Sequence, residues 1–250
     1  MLVITGALAL AAGAHADAPV GADQGKAIVD KLAQSVADAK AFDYEATVSA
    51  GSISETGVVG DPKVYTVKCQ EQEPNCFRIT VSTSDKAVGE FACNATGGTF
   101  YDAKSKSYFT FPLNTDADWA ALHGAVDKET GGPDLGNIVD STLIHKPMFD
   151  LENQYHRDSP VTYSVTPGDI GGRKVSRVLE HCTTEGVPME EAVAVDTDGN
   201  LVVYSAYLIV EGKQILSSRQ LFKSLKLLTE PLPDSTFQFT PPPGSQKLGG

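Results

Sequence analysis

Leu201-Val202-Val203-Tyr204-Ser205-Ala206-Tyr207-Leu208-Ile209-Val210 is the longest strand-like run in the chain, entered through Asp198-Gly199-Asn200 and left through Glu211-Gly212. As a strand it puts Leu201, Val203, Ser205, Tyr207 and Ile209 on one face and Val202, Tyr204, Ala206, Leu208 and Val210 on the other, because successive side chains alternate across a sheet. Both rows are mostly apolar. An antiparallel strand of this kind needs cover on both faces, since a face turned to water would show polar alternation. Two arrangements supply that cover. Helices or a second layer can fill both faces, or the sheet can curve so that its inner face lines a cavity for an apolar ligand.

Working outward, the run belongs to a C-terminal third, Glu190 to Leu248, that ends in the tail Phe237-Gln238-Phe239-Thr240-Pro241-Pro242-Pro243-Gly244. Upstream, Val64–Cys69 and Cys76–Ser82 read as a hairpin, and Ala87–Cys93, Thr99–Tyr101 and Ser107–Phe111 continue a meander that turns at Asp102-Ala103-Lys104-Ser105-Lys106. Tyr44 to Gly60 reads as an earlier hairpin of its own. Val161–Thr166, Arg173–Cys182 and Ala192–Val195 lead into the closing strands. Asp23 to Ala41 carries Ile28, Leu32 and Val36 at four-residue spacing and is expected to be an amphipathic helix docked on the sheet. Two short helices are expected between Asp116 and Met148, one marked by Trp119, Leu122 and Val126, the other by Leu135, Ile138, Val139 and Leu143. This order of elements gives an α+β fold, with helices on one face of a curved, largely antiparallel sheet.

Leu2 to Gly13 is small and apolar and leads to Ala14-His15-Ala16, the small-x-small pattern of an exported leader. Residues 1–16 are therefore expected to be a signal peptide and 17–250 a single domain, exported and soluble, since the apolar run is shorter than the roughly 20 residues of a spanning helix. The formal net charge is −12 without a basic cluster, which argues against nucleic-acid binding. Four cysteines in an exported chain read as two disulfides. Of three connectivities, Cys69–Cys76 is expected because the pair flanks a turn-like insert, and Cys93–Cys182 follows by elimination.

No catalytic pattern survives inspection. Gly21 to Lys26 is one residue short of a phosphate loop, with Ala27 where a magnesium-binding hydroxyl belongs. Asp196-Thr197-Asp198-Gly199-Asn200 hints at calcium, but its glycine is two places early and Tyr207 stands where the bidentate glutamate belongs, so a hairpin turn is the better reading. A nucleophile elbow and a zinc-protease helix are both missing. His123, His145, His156 and His181 are scattered, and Asn94-Ala95-Thr96 is a glycosylation sequon relevant only in a eukaryotic secretory pathway. The chain is expected to act without catalysis, cofactor or metal.

The leader, the helix around Ile28–Val36, Phe100-Tyr101-Asp102 ahead of Ser107-Tyr108-Phe109, the helical insert, the strand Val175 to Cys182 and the Phe237-x-Phe239-x-Pro241-Pro242 tail together resemble the LolA/LolB-like superfamily of exported proteins, and most of all its predicted periplasmic branch, DUF2092. The resemblance spans nearly the whole mature chain. It implies an open half-barrel with lid helices over an apolar concavity, and a periplasmic carrier, as a monomer, of an apolar ligand, acyl chain or lipoprotein. Trp119, Leu122, Ile138 and Leu143 of the lid, with Val203 and Tyr207 of the sheet, are the expected ligand contacts. The lipoprotein carrier latches its lid with an early arginine, whereas here no arginine precedes Arg78. The alternative is a non-catalytic interaction module, the N-terminal part of a longer, thioredoxin-fused envelope protein.

Overall fold

The computed structural model describes residues 21–50, 63–72, 76–84, 86–94, 97–112, 161–184, 186–210 and 212–248. Its elements in chain order are α1 (Ala22–Asp38), β1 (Ala41–Ala50), β2 (Lys63–Gln72), β3 (Cys76–Ser82), β4 (Ala87–Asn94), β5 (Gly97–Asp102), β6 (Ser107–Phe111), β7 (Thr162–Ile170), β8 (Arg173–Thr184), β9 (Val187–Asp196), β10 (Leu201–Val210), β11 (Lys213–Leu228) and β12 (Gln246–Lys247). The twelve strands form one sheet in the order β12-β6-β5-β4-β3-β2-β1-β11-β10-β9-β8-β7. Its ends are not joined, so it is a curved, open sheet. Every neighbour is antiparallel except β12 on β6.

Two meanders, β1 to β6 and β7 to β11, meet where β1 pairs with β11, Tyr44 opposite Leu225 and Val48 opposite Gln220. Extra residues bend this middle region. Lys223 bulges against β1, Val202 against β9 and Ser217 against β10, and each insertion increases local twist. The helix α1 lies against β7 and β8. Its Val29 and Leu32 are buried, a burial worth about 1.5–3 kcal/mol for each side chain.

The sheet has one apolar face. Along β3, Phe77, Ile79 and Val81 are buried while Arg78 and Thr80 alternate with them at half-exposure. The same alternation picks out Phe42, Tyr44, Ala46 and Val48 of β1 and Tyr65, Val67 and Cys69 of β2. Together with Val29 and Leu32 these form the principal core. We call this the inner face, because α1 packs on it.

Residues after β11 return across the outer face. The Leu232 N–H donates to Gln72 Oε1 at 2.6 Å. A short 3-10 turn, Asp234–Phe237, packs on β3 and β4 and buries Phe237. The Phe239 ring then meets Tyr101 of β5 and Tyr108 of β6, at 6.0 and 5.4 Å between centroids. Finally β12 runs along the edge of β6, where the Gln246 N–H donates to the Lys106 carbonyl and the Leu248 N–H to the Tyr108 carbonyl. The tail is a strap from β2 to the sheet's edge.

The structure departs from the sequence reading in three places. β11 has 16 residues and β10 has 10, so Leu201–Val210 is not the longest strand. Its length is hidden because polar residues interrupt both of its faces. β1 pairs with β2 and β11 instead of folding back within Tyr44–Gly60. All four cysteines are free thiols. Cys69 stands opposite Ile79 on the inner face, whereas Cys76 stands opposite Gln72 on the outer one, so strand alternation turns their side chains apart. Cys93 lies on β4 and Cys182 on β8, with six strands between them in the sheet order. The leader, the insert helices and the residues Trp119, Leu122, Ile138 and Leu143 lie outside the described residues. Among the described residues no helix is long and apolar enough to cross a membrane.

Candidate functional site

The inner face is the surface with the chemistry to hold an apolar guest. Two rows cross it, each built from directly paired residues of seven strands. The first runs Val165, Val178, Val193, Tyr204, Gln220, Val48, Tyr65 from β7 to β2. The second runs Leu225, Tyr44, Cys69, Ile79, Phe91, Phe100, Phe109 from β11 to β6. Its aromatic end is stacked, with Phe91 and Phe100 centroids 4.6 Å apart and Phe100 and Phe109 at 5.5 Å. Gly98 leaves room beside them, since a Cβ there would run into Cys93 Sγ and the Phe111 ring.

Polar groups on this face are few and placed at particular points. Tyr44 and Cys69 are buried register partners joined by a side-chain hydrogen bond. Burial pushes the Cys69 thiol up to about 12, the Tyr44 hydrogen bond opposes it, and the charge of Asp43 adds to it. Burial, and then Cys76, likewise raises Cys93. These thiols are packing groups and poor nucleophiles. Gln220 is 0% exposed and its amide meets no hydrogen-bond partner among the described residues, an arrangement costing about 1–3 kcal/mol. Toward the other meander, Tyr163, Glu180, Glu191, Ala206 and Ser218 follow one another across β7 to β11. Glu180 and Glu191 are both buried on this row, giving the apolar face an acidic border.

Val203 and Tyr207 stand on the outer face. Val203 joins Val175, Ala194 and Val202 in a small second cluster, and Tyr207 lies opposite Glu190 and Leu216. Their neighbour Tyr204 is the residue of β10 that joins the inner row. Apart from this cluster, the aromatic contacts of the strap and the exposed Val64 and Leu221, the outer face carries ion pairs, with Glu45 between Lys68 and Lys223, Arg78 on Glu90 at 2.8 Å, and His181 on Glu190 at 2.9 Å.

At the possible calcium loop, Asp196 accepts hydrogen bonds from the Asp198 and Asn200 N–H groups at 3.0 and 2.8 Å, and from Asn200 Nδ2. Burial acts to raise its pKa, but the bonds from Asn200 and Asp198 and the charge of Arg173 hold it below the usual carboxylate value. The carboxylate serves its own turn. No group of three or more metal-ligating side chains occurs among the described residues.

No family model matches the chain, and no curated protein matches it. Among solved structures it is similar to an uncharacterized conserved protein from Thermus thermophilus, at 10% identity and TM-score 0.43, covering 90% of this chain and 98% of that one. It is similar to MucB at 12% identity and TM-score 0.36, covering 88% of this chain and 64% of that one. A DUF1329 family protein from Desulfovibrio piger aligns at 11% identity and TM-score 0.29, over 87% and 97% of the two chains. At these identities and TM-scores the likenesses carry nothing about activity or cargo.

Proposed function

We propose that the chain is an exported, non-catalytic binding or carrier protein of LolA/LolB-like type, which holds an apolar ligand against the inner face of its open sheet. One observation carries the reading. The inner face is continuous across two meanders and bears two seven-strand rows of mostly apolar and aromatic side chains. Most of these side chains are buried in the structure, at 8% exposure or less, so a guest reaches them only by displacing what covers the face. A curved sheet without closure is a geometry in which such guests are taken. Each acyl methylene moved there from water would contribute about 0.8 kcal/mol, so a chain of about ten carbons suffices for useful affinity.

The test is native mass spectrometry of the protein isolated without detergent, set against its denatured mass and followed by incubation with decanoate and an N-acylated peptide. A bound mass released on denaturation, or uptake of either probe, is the expected result. A bare polypeptide that takes up neither probe would overturn the carrier reading in favour of an interaction module.

A further inference from the structure

At the outer face, the strap and strands β4 to β6 border an open groove of about 400 Å³. Its floor is a row of small side chains, Ala92, Thr99 and Thr110, paired directly across β4, β5 and β6. Asn94, one step along, extends the floor, and Phe237 and Phe239 of the strap form the walls. The groove exists because these floor positions are small where the strap crosses them. Its volume lies within the roughly 300–1,000 Å³ of small-molecule sites.

The lining chemistry selects the guest. No charged side chain lines the groove among the described residues, so none of these residues would compensate a phosphate, carboxylate or ammonium group for its lost hydration. A purely apolar guest would bury the two threonine hydroxyls against hydrocarbon, which is unfavourable. Hydroxyls both donate and accept, and aromatic walls cover C–H surface. A ring with hydroxyls on its edge and C–H groups on its faces satisfies both demands.

The geometry points to a binding site for a neutral saccharide of one or two pyranose rings. The site shares Gly98 and Phe111 with the edge of the inner face but takes a guest of different chemistry, so each reading has its own test. The hydroxyls of Thr99 and Thr110 would bind ring hydroxyls, while Phe239 would pack on a C–H face.

The experiment titrates the protein with methyl glucoside, N-acetylglucosamine and maltose, by saturation-transfer NMR and calorimetry. At least one should bind with a Kd at or below about 1 mM, unchanged between low and high salt because no ion pair is involved. Thr99→Val and Thr110→Val keep shape and suit a strand, and each should weaken binding about tenfold at an unaltered melting temperature. Two outcomes overturn the assignment. One is no saturable binding of any probe by folded protein at about 10 mM; the other is binding that survives the Thr99→Val/Thr110→Val double variant.

Discussion

Gly25 of α1 lies against Tyr163 of β7 so closely that a Cβ on the glycine would stand 2.8 Å from the Tyr163 Cβ, and 3.1 and 3.3 Å from Val165 and Val178. The glycine sets how near the helix approaches the sheet. In an exposed helix, Gly→Ala gains about 1 kcal/mol of helix propensity. Here the gain is opposed, because the nearest atom belongs to the base of a side chain and cannot swing away.

Gly25→Ala is therefore expected to leave the protein no more stable than wild type, and Gly25→Leu to cost about 1–3 kcal/mol through overpacking. Urea unfolding measures both. A Gly25→Leu variant with a wild-type midpoint would mean that α1 does not dock at this distance.

The buried pair Tyr44 and Cys69 predicts an alkaline limit. Burial raises both groups, the thiol from 9.0 to about 12. A group whose pKa is raised on folding contributes stability that is complete below its unfolded value, and loses it as pH rises through the folded one. Stability should fall from about pH 9 upward, less steeply in Cys69→Ala. The thiol should also resist alkylation at neutral pH until the protein unfolds. Rapid labelling of native Cys69, or a non-reducing mass that indicates disulfides, would contradict the structure.

Asp196 works in the opposite direction. Its folded pKa lies below the ordinary 3.8, so its contribution is present above that value and is lost as pH falls through the folded one. The stability difference between wild type and Asp196→Ala should be largest near neutrality and close below about pH 4. Added calcium should shift neither protein, because the Asp196 oxygens already accept bonds from Asp198 and Asn200. A calcium-dependent rise in melting temperature, absent from Asp196→Ala, would restore the metal reading.

Most strands were legible because alternation is local. Phe77, Ile79 and Val81 announce an inner face without knowledge of any partner, and Ile28, Leu32 and Val36 announce a helix. What stayed hidden depends on partners distant in sequence. In β10 both rows are apolar, and only the pairing of Tyr204 with Gln220 and Val193 decides which faces α1. The cysteines illustrate the same limit. Flanking a turn places Cys69 and Cys76 on neighbouring strands, but the register that sets Cys69 opposite Ile79 puts them on opposite faces. Gln220 and Glu191 give no sequence signal of their burial, because in a strand each is indistinguishable from a solvated polar residue.

The strap makes the last prediction. Phe237 is 2% exposed and packs where the tail crosses β3 and β4, and Phe239 follows it onto Tyr101 and Tyr108. Removing a fully buried phenylalanine ring typically costs about 3–5 kcal/mol, so Phe237→Ala should lower the urea midpoint far more than Phe239→Ala, whose ring is only half-buried. The loss should be local first, because β12 holds the edge of β6 through only two residues paired in parallel. Hydrogen exchange in Phe237→Ala should therefore accelerate at the Gln246 and Leu248 amides, which bond to Lys106 and Tyr108, before it accelerates in β1 or β11. Uniform acceleration through the whole sheet would instead make the strap part of the global folding unit, and equal effects of the two substitutions would deny Phe237 its anchoring role.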